Sequence, residues 1–188
     1  MKKELTAINS INILLHKRGV HTWDQLINHI RNIPYGRNAN RSDFNLVLTE
    51  KKGTCSSKHA LVKQIADANN IPSVKLILGM YKMTTHNTPG IGNHLADNGL
   101  AYMPEAHCYL KINDRRIDLT NAQSDIARIA NDIIIEETIE PDQVATYKVN
   151  YHKAFMKNWL VSEGVELDVD TIWSFREQCI SSLSASNA

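Results

Sequence analysis

Three residues of this chain have the types and the order that acyl transfer through a thiol requires: Cys55, then His107, then Asp118. Cys55 lies in Gly53-Thr54-Cys55-Ser56-Ser57-Lys58-His59-Ala60-Leu61-Val62. That stretch reads as a tight turn feeding a helix, with Thr54 as N-cap. A sulfur in the first helical turn meets unpaired backbone N–H groups and the positive end of the helix dipole, and both favour a thiolate. A thiol of lowered pKa is a nucleophile toward a carbonyl carbon. His107, in Pro104-Glu105-Ala106-His107-Cys108-Tyr109-Leu110, supplies an imidazole to take the thiol proton and return it to a leaving group. Asp118, in Arg116-Ile117-Asp118-Leu119-Thr120, is placed to hold that imidazole in one tautomer. The Cys55 backbone N–H is a donor for a tetrahedral oxyanion.

These side chains must be brought together by the elements that carry them. The helix after Thr54 continues through Leu61, Val62, Ile65 and Ala66 and halts at Asn69-Asn70-Ile71-Pro72. Cys55, Val62 and Ala66 are separated by nearly whole turns, so the sulfur faces the body of the protein. Residues 74–83 are β-rich and predict a buried strand. Residues 105–112 alternate, with Glu105, His107, Tyr109 and Lys111 on one face and Ala106, Cys108, Leu110 and Ile112 on the other. Asn113-Asp114 predicts a two-residue hairpin turn. Pairing of Ile112 with Arg115 then sets Asp118 diagonal to His107 on the same face, within side-chain reach. A slip of one residue would separate them.

The flanks are helical. Residues 5–17 carry Leu5, Ile8, Ile11, Leu14 and Leu15 at helical spacing before Gly19. Thr22-Trp23-Asp24-Gln25 is a capping-box pattern that opens a helix running to about Ile33, stopped by Pro34. Residues 44–48 are apolar and short, and helix and strand both fit them. Residues 84–100 read as a long loop, a kind that is often functional. Residues 133–139 suggest a further strand, and 147–161 and 169–183 two helices with Trp159, Trp173 and Phe175 in the core.

Composition excludes several classes. At 188 residues, with 43% hydrophobic and 22% charged residues and a formal charge of +1, the chain suits one soluble domain spanning 1–188. Lys and Arg are scattered among Asp and Glu, so no nucleic-acid partner is expected. No apolar run is long enough for a membrane, and Glu4, Asn9, Ser10 and Asn12 break any signal-peptide core. Three cysteines, Cys55, Cys108 and Cys179, do not make a disulfide framework and point to a cytoplasmic setting.

Plainer readings compete residue by residue. Free cysteine is among the most buried residue types, so Cys55 alone also fits an inert core thiol. His107 alone fits a half-buried strand residue, and Asp118 a strand terminator. Cys108 and Cys179 read as core, and His86 and His94 as solvated. Cys55 and His59, four apart on a helix, raise the question of zinc with His107, Cys108 and Asp118, but no C-x-x-C or H-E-x-x-H accompanies them.

Gly53-Thr54-Cys55, the helix that follows, its end at Asn70-Ile71-Pro72-Ser73-Val74, and the His107 and Asp118 segments together resemble the transglutaminase-like family of the papain-type cysteine enzyme superfamily. The resemblance covers roughly residues 44–121. It implies an α+β fold, with the helix bearing the nucleophile packed on an antiparallel sheet and extra helices at both ends. It also implies amide or peptide hydrolysis, or acyl transfer to an amine, through a thioester. Hydrolysis is the expected outcome for a short chain with no amine-binding module. The substrate is then a peptide or protein amide, and no metal or cofactor is required. The family draws its second oxyanion donor from upstream of the cysteine, where Asn40 and Asn45 stand. Where the family often has a small residue this chain has His59, and Cys108-Tyr109 stands where an aromatic is common. A binding module that keeps the same fold without turnover is the alternative function.

Overall fold

The computed structural model describes residues 3–186. Among them are seven α-helices and four strands in an α+β arrangement. The first helix, α1 (Ser10–His16), is shorter than the apolar spacing predicts. Asn9 caps it, its side-chain oxygen accepting from the Asn12 N–H, and so fixes its start. The residues before it run extended instead, with the Leu5 N–H donating to the His21 carbonyl. α2 (Trp23–Arg31) opens on the expected capping box of Thr22 and Gln25 and buries Trp23, Leu26 and Ile30. The ambiguous segment becomes the single turn α3 (Leu46–Thr49).

The helix that carries Cys55, α4 (Cys55–Ala68), is the centre of the molecule. Its residues from Ser57 to Val62 are all buried, so it is covered on every side, with α2 against one flank and the sheet against another. The sheet comprises β1 (Val74–Met83), β2 (Met103–Ile112), β3 (Arg115–Ile117) and β4 (Ile133–Ile139), all antiparallel, in the order β3-β2-β1-β4. Leu76, Leu78 and Met80 of β1 and Ala106, Cys108 and Leu110 of β2 form one face and pack with Leu61, Val62 and Ile65 of α4. The β2–β3 register pairs Ile112 with Arg115, around a turn in which Asn113 and Asp114 both have positive φ.

The loop over residues 84–100 is more ordered than its composition suggests. Asn87 ties it down, donating to the Lys82 carbonyl and to Asp132, and it contains a short helix, α5 (His94–Asp97). Ile91 and Leu95 anchor it in a second core with Tyr81 and Met103. That core is completed by α6 (Thr146–Glu163) and α7 (Val169–Ser186), through Met156, Trp159, Ile172 and Cys179. No helix among the described residues is long and apolar enough to cross a membrane.

One topological detail creates the site. β3 pairs with β2 only at Leu110–Ile112, which leaves the rest of that edge of β2 without a strand. The first turn of α4 and the helix α6 fill the gap. His152 of α6 bonds the Pro104 carbonyl through Nε2 at 2.9 Å, satisfying a strand acceptor that a neighbouring strand would otherwise take.

Candidate active site

Cys55 is the first residue of α4 and is part-buried. Thr54 accepts from the Ser57 N–H, and the Ser57 hydroxyl accepts from the Thr54 N–H at 3.0 Å, which sharpens the turn into the helix. Gly53 is required there, because a Cβ on it would lie 2.7 Å from Lys58 Cγ. None of the three cysteines is disulfide-bonded.

Asp118 lies immediately beyond β3. Its Oδ1 accepts from the Thr120 N–H at 2.9 Å and from the Thr120 hydroxyl at 2.6 Å, while Oδ2 faces His107 Nε2 at 2.9 Å. Nε2 therefore carries the proton, and Nδ1 is the ring nitrogen left for the sulfur. The His107 ring also acts on Cys55, each favouring the charged form of the other. The structure thus brings together the three residues that the sequence singles out, with the imidazole in the middle.

Two neighbours on α4 hold this geometry. His59 Nδ1 bonds the Cys55 carbonyl at 2.6 Å, and His59 Nε2 accepts from the Leu119 N–H at 2.7 Å. One residue earlier, buried Lys58 donates to the Ile33 and Thr120 carbonyls at 2.7 and 2.8 Å. Residues 118–120 are thereby clamped to the first turn of α4. Both His59 nitrogens are committed to backbone groups, so Cys55 and His59 are not a ligand pair. Burial draws His59 down to about 4, which keeps it neutral. Among the described residues no group of three His, Cys, Asp or Glu side chains is disposed to hold a metal ion.

His107 is also held by stacking. The Tyr109 ring lies against it with centroids 6.0 Å apart and planes 29° from parallel. Gly79, opposite His107 in the register, makes room, since a Cβ there would approach Tyr109 Cε1 to 2.8 Å. Gly79→Ala is therefore expected to displace the Tyr109 ring, cost about 1–3 kcal/mol of stability and lower turnover by about 10–100-fold. Thermal melts and steady-state rates check this. Unchanged turnover beside a lowered Tm would mean that the stack does not orient His107.

The electrostatics favour an ion pair. Burial raises the Cys55 thiol, but Lys148, first, and then His107 outweigh it and bring Cys55 down to about 6. Burial works against the charge on His107 too, yet Asp118 and Cys55 raise it well above the ordinary histidine range. Burial raises Asp118, but His107, first, and the Thr120 hydroxyl outweigh it and hold the carboxyl far below the usual carboxylate range.

Cys55 lies on the wall shared by two cavities. The larger, about 690 Å³, is bordered by His107, Asp118 and Tyr81, by residues 121–129 and by α7. The smaller, about 130 Å³, lies toward α6 and residues 37–41. Asn40 and Asn45 border neither cavity. Asn40 accepts from the Ser42 N–H and Asn45 donates to Asp43, and both are exposed. Tyr35 is the upstream residue that lines both cavities beside Cys55. His86 is exposed, whereas His94 reaches Ser182 on α7 at 3.0 Å.

Sequence reasoning missed Tyr35, Lys148 and the buried pair Glu105–Arg176. Glu105 shares a strand face with His107, the one available signal for it. Lys148 and His152, four apart among Tyr147, Tyr151 and Phe155, were the signal for a polar stripe turned inward. No family model matches the chain, and no curated protein and no solved structure matches it either.

Proposed function

We propose that the chain is a transglutaminase-like cysteine enzyme that cleaves or transfers an amide-linked acyl group through a thioester on Cys55. The observation that carries this reading is the His107 ring, bonded to Asp118 through Nε2 and coupled by charge to Cys55. A papain-type core is supported by the packing of α4 on an antiparallel sheet whose strand β2 carries the base, with the orienting carboxylate immediately beyond β3. The larger cavity has the volume for a peptide segment or a side-chain amide.

In this reading the thiolate attacks the carbonyl carbon and the S–C bond forms. The oxyanion meets the Cys55 N–H and the Tyr35 hydroxyl, which takes the part assigned to Asn40 or Asn45. His107 gives its proton to the departing amine as the C–N bond breaks. Neutral His107 then takes a proton from water, or from an acceptor amine, which attacks the thioester and returns the electron pair to sulfur. Water or amine at the thioester decides between hydrolysis and transfer, and hydrolysis is the simpler course.

An activated aryl ester, p-nitrophenyl acetate, tests the proposal. Expected are a burst of nitrophenolate, an acyl adduct mapped to Cys55, and an adduct that persists at least about 100-fold longer in His107→Ala. The rate of acylation rises with pH through about 6, where Cys55 loses its proton. Absence of an adduct on Cys55, or deacylation equally fast without His107, would leave a binding module as the reading.

A further inference from the structure

Lys148 is buried, at 8% exposure, and lies in the first turn of α6. Its Nζ donates to the Ser56 hydroxyl at 2.8 Å and points to Cys55 Sγ at 3.8 Å. No carboxylate among the described residues pairs with it. Glu105, the nearest acid to act on it, is already bound by two bonds to Arg176, at 2.6 and 2.8 Å. An ammonium buried without an anion costs several kcal/mol, so this charge has a counter-ion, and two sulfurs are at hand. Burial raises the Cys108 thiol and keeps it protonated. Cys55 is the anion that remains.

Resting on the reading of Cys55 as the nucleophile, we propose that Lys148 is a further catalytic residue, the permanent counter-ion that keeps Cys55 a thiolate whether or not His107 carries a proton. The charged and titratable groups facing the sulfur come from every element around it: Lys58 and His59 on α4, Tyr81 on β1, His107 and Cys108 on β2, Lys148 on α6, and Tyr35. Glu105 and Arg176 neutralise one another farther along the cavity. Of the cations, Lys148 acts on the sulfur most strongly and His107 next.

The consequence is a division of labour. His107 is free to hand over its proton without the sulfur reclaiming one, because the thiolate is held from the other side. Acylation removes the negative charge and strands the ammonium. Expulsion of the thiolate during deacylation restores the pair, so Lys148 favours the sulfur as leaving group when the C–S bond breaks.

Iodoacetamide alkylation of Cys55, followed across pH by site-resolved mass spectrometry, needs no substrate and so is independent of the acyl-transfer test. Wild-type alkylation should have its midpoint at about 6. Lys148→Met should move the midpoint up by more than about one pH unit, slowing alkylation at pH 6 about fivefold or more, and Lys148→Arg should restore it. His107→Ala should keep a midpoint well below that of an ordinary thiol. A folded Lys148→Met with an unmoved midpoint overturns the proposal. If that variant does not fold, His107→Ala alone decides, because a thiol of ordinary pKa in it overturns the proposal equally.

Discussion

Replacing Asp118 by asparagine should lower turnover by about 10³–10⁴-fold while leaving the fold intact. The size of the effect follows from a constraint on the amide. Oδ1 of Asp118 is held by two donors, the Thr120 N–H and hydroxyl, so the carbonyl of an asparagine must sit there. Its NH2 group is then turned toward His107 Nε2. A donor at that position forces the imidazole to present a lone pair to it and to place its proton on Nδ1, the nitrogen that faces the thiol. The base is lost, though every atom of it is present. The carboxylate also contributes most to raising His107, so the imidazolium is lost with it. Steady-state rates on the aryl ester, with circular dichroism as the control for folding, check this. A loss smaller than about tenfold would mean that Asp118 does not set the tautomer.

The second large effect is on stability. Arg176→Met should destabilise the protein by about 3–5 kcal/mol, because it leaves a carboxylate buried on β2 with only His152, at 3.9 Å and held neutral by burial, beside it. Arg176 reaches from α7 to make both bonds to Glu105, whose side chain is 7% exposed, and it also bonds Glu177 at 2.7 Å. The double variant Arg176→Met with Glu105→Gln should recover most of the loss, since a neutral amide tolerates the site far better than an orphaned charge. Urea denaturation measures both. The pH dependence has a definite sign. Burial raises Glu105, but Arg176 outweighs it and holds the carboxyl down at about 2, below its unfolded value. Its contribution is fully present above the unfolded pKa, near 4.5, and is lost as pH falls through about 2. Arg176→Met should flatten or reverse that acid slope. An unchanged slope would mean that the pair does not stabilise the fold.

Local chemistry explains which parts could be read in advance. The α4 start was legible because Thr54 and Ser57 are separated by the spacing that caps a helix, and the neighbouring glycine admits the tight turn. The meeting of His107 with Asp118 was legible because strand alternation and a two-residue turn leave little choice of register. The first helix was misjudged in length because apolar spacing does not see a competing cap, and Asn9 supplied one. Asn40 and Asn45 line neither cavity and Tyr35 lines both, a difference that nothing local to those residues foretells.

The helix under Cys55 and the meeting of His107 with Asp118 follow from interactions a few residues long. Lys148, Arg176 and Tyr35 come from segments remote in the chain, and a lysine or arginine on a helix reads as solvated until something packs over it. Lys148 meets Cys55 because β3 stops short at Ile117, which opens an edge of β2 that α6 covers. Burial strengthens charge interactions that water would screen, and burial is set by how α6 and α7 close over the sheet, a property no short stretch of residues contains.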